Sequence, residues 1–154
     1  IYPTLGIATV NELALPVNQP VEFQITADAP MNSFWIPQLG GQIYAMTGMV
    51  TKLNLLATDV GMYRGSSANY SGDGFADMKF DTTVLSQTDF DAWVTQVKAS
   101  PTPFDAPAYR FYQLPGTSTP QEFGSVDQNL YNDIVMQFMQ QGEMHMEPME
   151  HMEH

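Results

Sequence analysis

The chain has no cysteine, and its only histidines, His145, His151 and His154, stand at the extreme C-terminus. The missing cysteines rule out disulfides and thiol chemistry. Together the two absences deny the first 144 residues the thiolate and imidazole donors that a tight, redox-tuned copper site needs. A nucleophilic triad fails there too, for want of a histidine. Basic residues are also scarce: five Lys+Arg stand against 17 Asp+Glu, a net charge of −12. Such a surface repels phosphate backbones, so no nucleic-acid partner is expected, and it offers no polybasic attachment to anionic lipid. The acidity itself has two readings, solubility or the steering of a basic protein partner. No apolar run approaches the ~20 residues a membrane helix requires. No signal peptide is visible, and the chain opens on Ile1 rather than Met, as expected of a piece processed or cut from something longer.

What remains is enough for a folded globule. The 154 residues are 44% hydrophobic and 12% aromatic, which fits one domain with a real core. Residues 1–85 read as β. Val21, Phe23 and Ile25 alternate with Glu22, Gln24 and Thr26, the period-2 pattern of a half-buried strand. Ile7–Val10, Asn32–Ile36, Thr51–Ala57 and Met78–Leu85 are further strands, separated by Gly/Pro turns. The remainder is helical. Ser86 is an N-cap candidate, and Phe90, Trp93, Val94 and Val97 then fall on one helix face. Residues 101–124 carry five prolines and read as an ordered loop. A second helix spans about Val126–Gln141, with Ser125–Gln128 as a capping box and Gly142 as C-cap.

The expected fold class is therefore mainly β, a Greek-key sandwich or barrel with two C-terminal helices. Three segments follow: a β domain over 1–85, a helical extension packed on it over 86–142, and a Met/His/Glu-rich tail over 143–154, expected to be disordered. Tyr112, Phe123 and Tyr131 are candidates either for partner contact or for core packing.

Little in this chain carries chemistry. The carboxylates are scattered and form no evident acid/base pair. Gly72-Asp73-Gly74 lacks the lysine and following helix of a phosphate loop and reads as a turn. The tail mixes thioether, imidazole and carboxylate at Met144, His145, Met146, Met149, His151, Met152 and His154. Those donors suit copper or zinc, and a solvated tail without a metal is the competing reading.

Two stretches are more specific. Met31-Asn32-Ser33-Phe34-Trp35-Ile36-Pro37-Gln38-Leu39-Gly40 runs into Gln42–Met49, and Gly65–Met78 follows as a Gly/Ser-rich loop. In this order they resemble the periplasmic cupredoxin domain of haem-copper oxidase subunit II, over roughly residues 1–85. In the cytochrome c oxidase branch that domain holds a dinuclear copper centre. The resemblance places its first histidine on Asn32, its bridging cysteines on Ser67 and Ser71, its carbonyl-donating glutamate on Asn69, its second histidine on Phe75 and its methionine on Met78. Only the methionine survives. A serine hydroxyl stays protonated near neutral pH and cannot bridge copper as a thiolate does.

This pattern of loss, with Ser67-Ala68-Asn69-Tyr70-Ser71-Gly72 and the Phe90–Val94 helix, resembles the cytochrome o-type ubiquinol oxidase branch. The resemblance implies a parent anchored in the bacterial inner membrane by helices upstream of Ile1. It also implies a partner subunit I carrying haem and copper, and ubiquinol as the reductant of the complex rather than of this domain. Here the domain is expected to hold no cofactor and to serve structure and assembly, with Asn32, Ser67, Asn69 and Ser71 forming a polar cluster where copper would sit. The alternative is a stand-alone periplasmic copper-handling protein that uses the tail.

Overall fold

Alternation along the first half of the chain yields strands, and their pairing yields two layers. The computed structural model describes residues 1–28, 32–69, 79–114 and 119–144. Its strands begin with β1 (Ala8–Val10), β2 (Glu12–Pro16), β3 (Pro20–Ile25), β4 (Asn32–Trp35) and β5 (Ile43–Ala45). They continue with β6 (Thr51–Leu56), β7 (Gly61–Asn69) and β8 (Lys79–Leu85). The second half contributes α1 (Gln87–Lys98), β9 (Pro103–Phe104), α2 (Ala106–Tyr112), β10 (Gln121–Phe123), β11 (Ser125–Val126) and α3 (Leu130–Met144).

The main sheet has the order β2-β8-β7-β4-β5, with β2 parallel to β8 and the other neighbours antiparallel. The antiparallel pair β3–β6 lies over its inner face. Between the two layers Leu15, Ala57 and Val84 are buried, joined by Val21, Phe23, Leu39 and Tyr63. This is the two-layer solution for strands that are apolar on one side. Asn11 and Asn18 adopt left-handed backbone (φ 59° and 57°) at the turns after β1 and β2, a conformation asparagine tolerates better than most residues.

A second core forms where α1 covers the outer face of the sheet beside β2. Ile7, Ala14, Phe90, Val94 and Val97 are buried there, with Tyr2, Leu5, Leu85 and Trp93 around them. The helix starts where the cap predicts: the Ser86 side chain accepts from the Asp89 N–H at 3.2 Å. The Tyr2 hydroxyl donates to the Ala14 carbonyl and accepts from the Ala14 N–H, both at 2.9 Å, which satisfies an edge of β2.

The second half differs from expectation in three places. The proline-rich segment is more than the ordered loop expected, since it contains β9, α2 and β10. Its prolines permit this because Pro107 falls in the first turn of α2, where a missing N–H costs nothing, and Asp105 caps the helix by accepting from the Ala108 N–H at 3.1 Å. The last helix does not begin at Val126. Ser125 and Val126 pair in parallel with Pro103 and Phe104, so their backbone is extended. Asp127 turns the chain instead, accepting from the Asn129 and Leu130 N–H groups. Gly142 lies inside α3 rather than ending it. Among the described residues three helices follow the sandwich, α2 being the one that the sequence pattern hides.

Candidate functional site

The strand β4 brings Asn32, which the resemblance matches to the first copper histidine, into the main sheet. Asn32 faces Ala45 on β5 and Asn69 on β7, and two residues on, Phe34 faces Ser67. Residues opposite one another share a face of the sheet, so Asn32, Phe34 and Ser67 all lie toward the β3–β6 layer. The stretch Gly65–Asn69, read from sequence as the start of a loop, is the end of β7. It pairs on both sides, with β4 and with β8. Ser71, Phe75 and Met78 lie outside the described residues, as do His145, Met146, Met149, His151, Met152 and His154. Met144 closes α3.

Aromatic rings fill the space beside these positions. Phe34 stacks on Phe80 (centroids 5.4 Å apart, planes at 16°) and meets Phe23 at 5.3 Å. Gly65 lies directly across from Phe80, and a β-carbon there would come within 2.2 Å of the ring. The glycine therefore makes room for the ring. A cleft of about 280 Å³ remains, lined by Leu13, Phe34, Ser67 and Phe80 among others.

The Asn32 Oδ1 atom is buried and has no hydrogen-bond partner among the described residues. The polar cluster expected around it remains an expectation, because Ser71 falls outside the description. An amide oxygen, a serine hydroxyl and a wall of phenylalanine rings do not fit a dinuclear copper centre, which requires thiolates and imidazoles. Among the described residues no group of three or more His, Cys, Asp or Glu side chains is placed to hold a metal. If the Asn32 amide is only a remnant, removing it relieves a buried unsatisfied group. Asn32→Val is then expected to raise stability by about 1 kcal/mol in denaturant unfolding, helped by valine's preference for strands. A loss of similar size would show the amide to be engaged.

A second set of contacts holds the C-terminal segment beside this region. Tyr109 and Gln113, on and just after α2, both donate to the Asp28 carboxylate, four residues before Asn32. Burial and the Asp28 charge raise the Tyr109 phenol well above its ordinary value. Behind α2, Phe123 packs on Phe104 (4.9 Å) and edge-on to Tyr112 (6.1 Å). Phe123 is buried core rather than a partner contact. The Tyr131 hydroxyl is also buried, without a hydrogen-bond partner among the described residues, and its phenol is raised by desolvation. Exposed apolar side chains are found instead at Phe111 and Leu114. The sequence carried no signal for this exchange, since telling buried rings from exposed ones here requires the β1–β10 and β9–β11 pairings.

The two-layer strand architecture defines a cupredoxin-like domain. The family described as cytochrome c oxidase subunit II, periplasmic domain, matches residues 4–84, and the COX aromatic-rich motif matches residues 98–142. The chain belongs to the cytochrome c oxidase subunit II family. Within it, the similarity is to the ubiquinol oxidase branch. The chain is 51% identical over 138 residues to ubiquinol oxidase subunit 2 of Acetobacter aceti, covering 90% of this chain and 45% of that protein. It is 56% identical over 120 residues to cytochrome bo(3) ubiquinol oxidase subunit 2 of Pseudomonas putida, covering 78% of this chain and 38% of the relative. The chain therefore spans less than half the length of these curated relatives. Among solved structures, it is similar to the periplasmic domain of subunit II of cytochrome oxidase from Bradyrhizobium japonicum. The TM-score is 0.53 and the identity 30%, over 56% of this chain and 63% of that one.

Proposed function

We propose that this chain is a metal-free structural domain of a ubiquinol oxidase subunit II, placed on the periplasmic face of the bacterial inner membrane. Its parent is anchored by helices upstream of Ile1 and binds subunit I, which holds the haems and copper. The complex oxidises ubiquinol, reduces oxygen and pumps protons, and no electron passes through this domain. The observation that carries the reading is the β4–β7 ladder, where Asn32 and Ser67, the residues that the resemblance matches to copper ligands, lie beside the Phe34–Phe80 stack. Its support is twofold: the donor chemistry of those residues, and relatives named as ubiquinol oxidase subunits over most of this chain. A fold stabilised by burial between layers survives the loss of its metal.

The test is to isolate the complex that contains this polypeptide from native membranes and record its reduced-minus-oxidised haem spectrum with quinol as reductant. Haem bands that reduce with quinol are expected. A preparation that carries no haem would overturn the assignment and turn attention to copper binding by the tail.

A further inference from the structure

Sulfur in this chain is methionine alone: there are eleven methionines and no cysteine. Methionine is often a core residue, its flexible thioether filling irregular gaps. Among the described residues the buried apolar side chains are Ile, Leu, Val, Ala and Phe, and no methionine is one of them. Met62 is instead 68% exposed, Met136 53% and Met49 52%. Met46 is half-buried.

Local structure puts each of the three at the surface. On β7, Tyr63 packs between the two layers, so its neighbours Met62 and Arg64 face outward, and both are exposed. Thr83 on β8 stands opposite Met62. A cleft of about 150 Å³ opens beside Met62, lined by Asp81, Thr83 and Trp93 among others. It has room for a small polar molecule such as water or hydrogen peroxide. On α3, Val135 is buried, and the helix period turns the next residue, Met136, to solvent. Met49 follows Gly48 (φ 72°) in the turn before β6, and its N–H donates to the Met46 carbonyl at 3.3 Å.

An exposed thioether is open to two-electron oxidation, and its product is a polar sulfoxide. In a core that change disrupts packing. On a solvated face the new S–O group is hydrated, and little packing is there to be lost. We propose that Met49, Met62 and Met136 form a reversible oxidation site, at which hydrogen peroxide is consumed while the fold is kept. One oxygen passes from peroxide to sulfur: the O–O bond breaks, an S–O bond forms, the sulfur is oxidised by two electrons and water leaves. A thiol-dependent methionine sulfoxide reductase reverses the step, two thiols becoming a disulfide while the oxygen leaves as water. With no cysteine in the chain, no thiol of its own competes for the oxidant. The chemistry requires neither quinol nor haem.

Native membranes that contain the protein are treated with hydrogen peroxide, and sulfoxide at each methionine is measured by mass spectrometry of its peptides. Met49, Met62 and Met136 are expected to oxidise several-fold faster than half-buried Met46. Amide exchange in β7 and α3 is expected to be the same before and after oxidation, and methionine sulfoxide reductase with dithiothreitol is expected to return the three thioethers. If the three sites oxidise no faster than Met46, a partner covers them in the membrane and the proposal is overturned. Faster amide exchange in the oxidised protein overturns it too, because the three side chains would then be packing residues.

Discussion

Replacing Phe123 with alanine is expected to lower stability by about 3–5 kcal/mol, the range for deleting a buried phenylalanine ring. Phe123 is 4% exposed and faces Ala8 across the β1–β10 pair. Its ring meets Phe104 on β9 and Tyr112 on α2. Two elements of the C-terminal segment, β9 and α2, thus converge on a side chain of a third, β10, and the strands of this segment have no long ladder: β9 and β11 are two residues each and β10 is three. Short strands of this kind hold little by hydrogen bonding alone, so the ring accounts for much of their attachment. Denaturant unfolding checks the expectation, together with a melting temperature lower by on the order of 10 °C. Phe111 is the control. It is 64% exposed, and Phe111→Ala is expected to change stability by no more than about 0.5 kcal/mol. A loss below about 1 kcal/mol for Phe123→Ala would mean that the segment is held by other contacts, the Asp28 tether of Tyr109 and Gln113 first among them.

The same residues show what a sequence of this kind reveals. Strands with clean alternation, such as Val21-Phe23-Ile25, and the Ser86-capped helix are legible because their pattern is local. Strand β2 is not. Glu-Leu-Ala-Leu-Pro carries no strict alternation of polar and apolar residues, and its place is fixed by parallel pairing with β8. Helix α2 is hidden by prolines that a simple breaker rule counts against it. The match of Asn32 and Ser67 to copper-ligand positions is what the resemblance implies, and the missing cysteines and core histidines were legible without coordinates. The rings that occupy the neighbouring space were not, because the Gly65–Phe80 contact exists only once the register of β7 and β8 is known.

Gly124→Ala is expected to destabilise the chain by about 3 kcal/mol, the upper end of ordinary overpacking. A β-carbon at this position would stand 2.1 Å from the Ser100 carbonyl oxygen and 2.9 Å from that of Lys98. Both obstacles are backbone, so no rotamer change relieves them. The segment after α1 must move, and it is pinned: the Gly124 N–H donates to the Thr102 carbonyl at 3.1 Å, and the Ser100 hydroxyl donates to the Glu122 carbonyl at 3.2 Å. Displacement therefore carries into both the β9–β11 pair and the β1–β10 pair. Gly41, whose β-carbon would meet nothing within 4 Å, provides the comparison, and Gly41→Ala is expected to stay within about 0.5 kcal/mol of the parent. If unfolding instead shows the two variants equal, the close approach of residues 98–100 to Gly124 is not maintained in solution.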